Sequence, residues 1–432
     1  MNKRSKIVLI TTIVLVIITA VGATFAFVSL KNNSIKIGKI NFNEMEQENI
    51  VENNVQEIAV ENEIEENIVN ETNTVEDTYD YSKLDDKNTS SELFSKYYDK
   101  ATELLKEMSM EEKVGQMFLA RYPEEDANNE ITEYNPGGYI LFARDFRDET
   151  VESIKEKLNE NQKNSKIKMF LAVDEEGGSV VRVSGFEQFR EEPFKSPQTI
   201  FKESGLKGII EDSHEKTELL KNLGINMNLT PVVDIPTNEE SFIYDRSFGQ
   251  NAEETAKYAK QLVNTMKKDK IISSLKHFPG YGDNVDTHTG IAIDEREYSE
   301  FEKTDFLPFK SGIESGAPTV LVNHNIVKCM DNKLPSSLSE NVHKILREKL
   351  EFSGIIMTDD LGMDAVKEYV DDGQAAVQAI LAGNDLIITS DFVKQKSEVL
   401  NAIAEEKISE DLINKAVRRI LACKMAYGIL DF

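Results

Sequence analysis

The sequence predicts an α/β chain folded as a (β/α)8, TIM-type barrel. Three observations lead there. Short apolar runs alternate with longer amphipathic stretches from about residue 90 onward. Polar and ionisable residues gather at the ends of successive runs, where a barrel of this kind carries its chemistry. No Gly-x-Gly-x-x-Gly follows the first run, which weakens the runner-up, a doubly wound dinucleotide-binding sheet.

The elements follow in order. Residues 1–30 are a cytoplasmic tip and a transmembrane anchor. Ile7–Val28 is apolar and uncharged, long enough to span a bilayer, and Lys3, Arg4 and Lys6 precede it. The rest of the chain is then extracellular on a single-pass anchor. The alternative is a signal peptide with its small-residue site at Val21-Gly22-Ala23, and a secreted product. Residues 31–90 are rich in Asn and Glu with few aromatics, and read as a disordered acidic linker. A flexible tether of that length has a root-mean-square span of about 40 Å. Much of the net charge of -27 sits there. That charge argues against a nucleic-acid partner, which needs a basic footprint. The two cysteines, Cys329 and Cys423, form no zinc or redox spacing. The expectation is a monomer with no metal and no cofactor.

From Ser91 the pattern is globular. A helix is expected over Ser91–Met108, and Ser109 with Glu112 has the spacing of a capping box. The expected strands are Gln116–Ala120, Gly138–Phe142, Lys168–Val173, Asn226–Leu229, Ile271–Leu275, Thr319–Val322, Gly354–Met357 and Asp385–Ile388. Helices are expected over Thr150–Asn164, Lys207–Leu223, Ala252–Lys268, Ser339–Leu350, Lys394–Ala404 and Ser409–Tyr427.

The strand ends carry the candidates. The third runs into Asp174-Glu-Glu-Gly-Gly, with Arg182 beyond, and the fourth into Asp234 and a loop holding Arg246. The fifth ends in Lys276-His277, the sixth in Asn323-His324 and the seventh in Asp359-Asp360. Single polar strand ends are ordinary caps, and Asp360 could cap the next helix. Five together are hard to explain as capping.

Residues 91–432 resemble a glycoside hydrolase of family 3, in its single-domain β-N-acetylglucosaminidase branch. The motifs are KHFPGYGDNVDTHTG, DEEGGSVVR, PVVDIPTN, DRSFG, LPSSLS, GIIMTDDLGM, AGNDLII and AVRRILACKMAYGIL, in that family's order. The resemblance implies a retaining exo-β-N-acetylhexosaminidase acting on a carbohydrate that ends in β-linked N-acetylglucosamine, from peptidoglycan or its fragments. It implies Asp359 as the nucleophile, forming a glycosyl-enzyme. His288 matches the acid/base and Asp286 the partner that orients it. Asp174, Arg246, Lys276 and His277 match residues that hold the sugar hydroxyls, and Arg182 and His324 fall in site-lining motifs. If the Lys276-His277 strand simply persists, its side chains alternate and one of the two points away.

This chain departs from the family's pattern at Tyr281 and Asn284, where Gly-His-Gly-Asp-Thr is usual, and at Ser179, where Arg is usual. Many members carry a second α/β domain that supplies the acid. The sequence ends at Phe432, so the acid is expected from the Asp286–His288 pair. The alternatives are a phosphorylase, another β-glycosidase, a metallohydrolase on His277, Asp286 and His288, and a non-catalytic wall-binding protein.

Overall fold

Eight short runs of apolar residues become eight parallel strands. A computed structural model describes residues 79–431, apart from 86–87, 288–289, 291, 368 and 371–373. The expected anchor and most of the expected linker lie outside the described residues. Among the described residues, no helix is long and apolar enough to cross a membrane.

The strands are β1 Phe118–Arg121, β2 Gly138–Leu141, β3 Phe170–Val173, β4 Met227–Asn228, β5 Ile272–Phe278, β6 Thr319–Val322, β7 Ile355–Thr358 and β8 Ile387–Thr389. Each pairs in parallel with its successor, from Leu119 opposite Gly138 round to Thr319 opposite Ile355. β8 pairs with β1 through Phe118 and Ile387, and a bridge between Met357 and Leu386 joins β7 to the start of β8. The sheet therefore curls into a ring, the barrel expected from the sequence. β2, β3, β6, β7 and β8 are buried along their whole length. That explains their mostly apolar character, broken only by Thr319, Thr358 and Thr389 at strand ends, since both faces of such a strand are covered.

Local chemistry sets the helix boundaries. Ser109 and Glu112 form the expected capping box. Thr150, Asn251 and Ser409 cap the helices Val151–Asn164, Ala252–Lys268 and Glu410–Ala426. Three expectations need correction. The helix expected from Ser91 begins at Tyr98, after tight turns at Thr89–Ser91 and Ser95–Tyr97. The stretch after Ser339 is helical over Glu340–Lys344 and then widens into a π-turn over Ile345–Lys349. The folded part also starts before residue 91. Leu84 is buried, Tyr79 Oη bonds Asp411 at 2.6 Å, and Arg418 pairs with Asp85 at 2.6 Å.

Candidate active site

The carboxyl ends of the strands open into one cavity of about 470 Å³. Asp174, Arg182, Arg246, Lys276, His277, Asp286 and Asp359 all line it. The structure thus brings together seven of the nine residues singled out from the sequence. His288 lies outside the described residues.

His324 is the exception by position. It is buried and is not among the lining side chains. Its Nδ1 meets Ser337 Oγ at 2.7 Å, and its Nε2 meets the carbonyl of Asp360 at 3.0 Å. It braces the β7 turn from below rather than facing the cavity. Asp360 accepts from Gly362 N and Ser390 N, so it pins that turn to the β8 end rather than capping a helix. Asp359 is held by its own backbone, whose N–H bonds the Val322 carbonyl at 3.0 Å, and its Oδ1 accepts from Asp360 N. Burial, chiefly, and the neighbouring Asp359 charge push the Asp360 carboxyl up.

On the other side of the cavity a chain of charges runs across β3, β4 and β5. Lys276 Nζ sits 2.6 Å from Asp174 Oδ1 and 2.6 Å from Glu176 Oε1. Arg246 grips the same Glu176 with Nε at 3.0 Å and Nη2 at 2.8 Å, a two-point pairing. Arg246 Nη2 also donates to His277 Nε2 at 3.3 Å. His277 Nδ1 then donates to Asp234 Oδ2 at 2.7 Å. The second oxygen of Asp234 accepts from Tyr281 N at 2.8 Å, and Tyr281 Oη meets Thr287 Oγ1 at 2.5 Å.

Burial opposes the Glu176 charge, but Arg246 and Lys276 overcome it and hold the carboxyl well below its usual range. Burial likewise works against the Lys276 ammonium, and Asp174 and Glu176 outweigh it, so its pKa is raised. Both groups stay charged at neutrality. Lys276 and His277 both face the cavity, contrary to simple alternation. The register of β5 against β6 shifts between Leu275 and Phe278, and that irregularity breaks the two-residue period.

Glu176 was not legible as a site residue, and Asp234 was legible only as a polar strand end without a role. A run of three acidic residues at a strand end does not say which one turns inward. Glu175 turns the other way, accepting from the backbone of Arg182 and Val183. Arg121 and Phe142, at the ends of β1 and β2, also line the cavity and carry no motif. Among the described residues, no group of three or more His, Cys, Asp or Glu side chains could hold a metal ion.

The model of the glycosyl hydrolase family 3 N terminal domain matches residues 109–423. The chain belongs to glycoside hydrolase family 3. It is therefore an enzyme of the glycoside hydrolase class. A protein named Beta-hexosaminidase from Nitrosomonas eutropha is 30% identical over 284 residues, covering 62% of this chain and 78% of that one. Another of the same name from Methylobacillus flagellatus is 32% identical over 277 residues, covering 61% and 76%. Among solved structures, a glycoside hydrolase family 3 beta-N-acetylglucosaminidase from Paenibacillus sp. str. FPU-7 superposes with a TM-score of 0.70 at 29% identity. That match covers 74% of this family 3 chain and 63% of the Paenibacillus one.

Proposed function

We propose that this family 3 enzyme is a retaining exo-β-N-acetylhexosaminidase that removes a terminal β-linked N-acetylglucosamine. The observation that carries it is the division of one cavity into two halves. Asp174, Arg246, Lys276 and His277 are tied together through Glu176 on one side, Asp359 stands at the end of β7, and Asp286 lines the same cavity. The locked side presents donors and acceptors in fixed positions, which suits a ring of hydroxyls. The relatives named Beta-hexosaminidase support the choice of sugar.

In the proposed reaction the Asp359 carboxylate attacks the anomeric carbon while His288 gives its proton to the departing oxygen. The glycosidic bond breaks and an ester to Asp359 forms. Water then attacks the same carbon as His288 takes its proton back, which frees Asp359 and returns the sugar with its configuration retained. Asp286 orients His288 and favours its charged form. Peptidoglycan or its fragments are the proposed source, outside the cell, with residues 1–30 as the membrane anchor.

The test is hydrolysis of an aryl β-N-acetylglucosaminide with EDTA present and with phosphate varied. Turnover should survive EDTA, yield free sugar rather than sugar phosphate, and fall by about 10³-fold or more in Asp359→Asn. Unchanged turnover in Asp359→Asn or His288→Ala would refute the mechanism.

A further inference from the structure

The main chain around Glu176 is held by side chains that do not line the cavity. Asn228, at the end of β4, meets Glu175 on both sides: its Oδ1 accepts from Glu175 N at 3.0 Å and its Nδ2 donates to the Glu175 carbonyl at 3.1 Å. Lys216, on the helix Pro197–Asn222, donates from Nζ to the Glu176 carbonyl at 3.0 Å. The N–H groups of Glu176 and Gly177 both go to the Val180 carbonyl, at 3.0 and 3.1 Å. Successive side chains of an extended chain point opposite ways, so a fixed peptide group decides which acid turns in. Glu175 then faces the backbone of Arg182 and Val183, and Glu176 faces Lys276 and Arg246.

Lys216 is built into this place. It is 7% exposed, and its ammonium pairs with Asp212, one helical turn earlier, at 2.5 Å. The Phe194 ring lies 5.1 Å from Nζ, and the Phe194 carbonyl accepts from Gly178 N at 2.8 Å. Gly177, at φ +96°, lets the turn come this close: a Cβ there would fall 2.2 Å from the Lys195 carbonyl and 3.2 Å from Lys216 Nζ. A buried ion pair adds little stability over apolar residues of similar size. Burial pushes the Asp212 carboxyl up despite Lys216. What the pair supplies is a donor fixed against one carbonyl.

We infer that Lys216 and Asn228 are positioning residues for the side of the cavity proposed to hold the sugar. They fix the peptide groups on either side of Glu176 and so aim its carboxylate between Lys276 and Arg246. The effect on the sugar rests on the glycosidase reading given above; the aim of Glu176 does not.

The test compares an aryl β-N-acetylglucosaminide with its 3-deoxy, 4-deoxy and 6-deoxy analogues, in the native enzyme and in Asp212→Leu/Lys216→Met. The double variant removes the donor and leaves neither partner of the ion pair behind. In the native enzyme at least one missing hydroxyl should lower kcat/KM by about 10²-fold, the loss expected when charged groups are left without their partner. In the double variant that penalty should shrink to about tenfold, because the groups that read the hydroxyl are no longer fixed. A merely structural role would slow all four sugars alike and leave the penalty at its native value, which overturns the inference. Asp212→Asn keeps the Lys216 donor and should keep the native penalty. A penalty that shrinks there as far as in the double variant assigns the effect to the ion pair, and also overturns the inference. If the double variant does not fold, Asn228→Leu, which removes both contacts to Glu175, takes its place with the same expected result. If the native enzyme cleaves none of the sugars, the glycosidase reading fails; if it cleaves all four alike, the sugar-holding assignment fails. In either case the crystal structure of the variant decides the positioning: Glu176 displaced from its two-point pairing with Arg246 supports it, and native pairing overturns it.

Discussion

At the scale of single residues, Glu176 is the hinge of the electrostatics. One carboxylate, 2% exposed, pairs with both Lys276 and Arg246, and Asp174 supplies the second negative charge. Removing its charge leaves two buried cations sharing Asp174. Glu176→Gln should cost about 3 kcal/mol, the loss typical of breaking a buried pair from one side. It should also lower kcat/KM by about 10²-fold, because the groups proposed to hold the sugar lose their fixed positions. Urea denaturation and steady-state kinetics check the two effects. Its pKa is depressed, so its contribution to stability is complete above the usual carboxylate range and is lost progressively as the pH falls below that range. The sequence named the partners of Glu176 but not Glu176 itself. Types and spacing show which groups are present, whereas the inward turn of one acid among three is set by the loop's path.

At the scale of elements, the loop after β5 is tied down twice before it reaches His288. Asp283 accepts from Thr237 N at 2.7 Å and from Asn238 N at 2.8 Å, which joins it to the β4 loop. Arg296 bonds Asp294, Asp305 and the Gly280 carbonyl, which joins the loop's two ends. Gly280 is needed there, since its φ is +125° and a Cβ would fall 2.0 Å from Asp305 Oδ1. Tyr281, where the family usually has His, bonds Thr287 between Asp286 and His288. Tyr281→Phe removes that bond and keeps the ring. Substrates with poor leaving groups, which need the acid, should slow about tenfold more than a dinitrophenyl glycoside, which does not. Equal slowing of both would assign Tyr281 to packing alone. The strands were legible to within a few residues because a strand covered on both faces is mostly apolar. The orientations of Lys276 and His277 were not, because they depend on the register shift in β5, which leaves no mark in composition.

At the scale of the whole molecule, the barrel separates chemistry from stability. The carboxyl ends of the strands hold the cavity, and the opposite end is locked by packing. There Lys424 is fully buried, donating to Gln116 Oε1 at 2.6 Å and to the Gly137 carbonyl at 2.9 Å. Burial brings its pKa down to about 7. A lysine depressed in the fold binds fewer protons there than when unfolded, so it favours folding more as pH rises from about 7 towards its unfolded value. The stability of the native protein relative to Lys424→Met should therefore gain about 1.4 kcal/mol per pH unit between roughly pH 7.5 and 9.5. Denaturation midpoints across that range check it, and a flat difference would mean the amine is already matched.

The most direct test of the catalytic assignment is to trap the glycosyl-enzyme with a fluorinated N-acetylglucosaminyl substrate and map the adduct by mass spectrometry. A single sugar on the peptide containing Asp359, absent in Asp359→Asn, is the result predicted. A sugar attached elsewhere, or steady turnover with inversion at the anomeric carbon and no adduct, would contradict it.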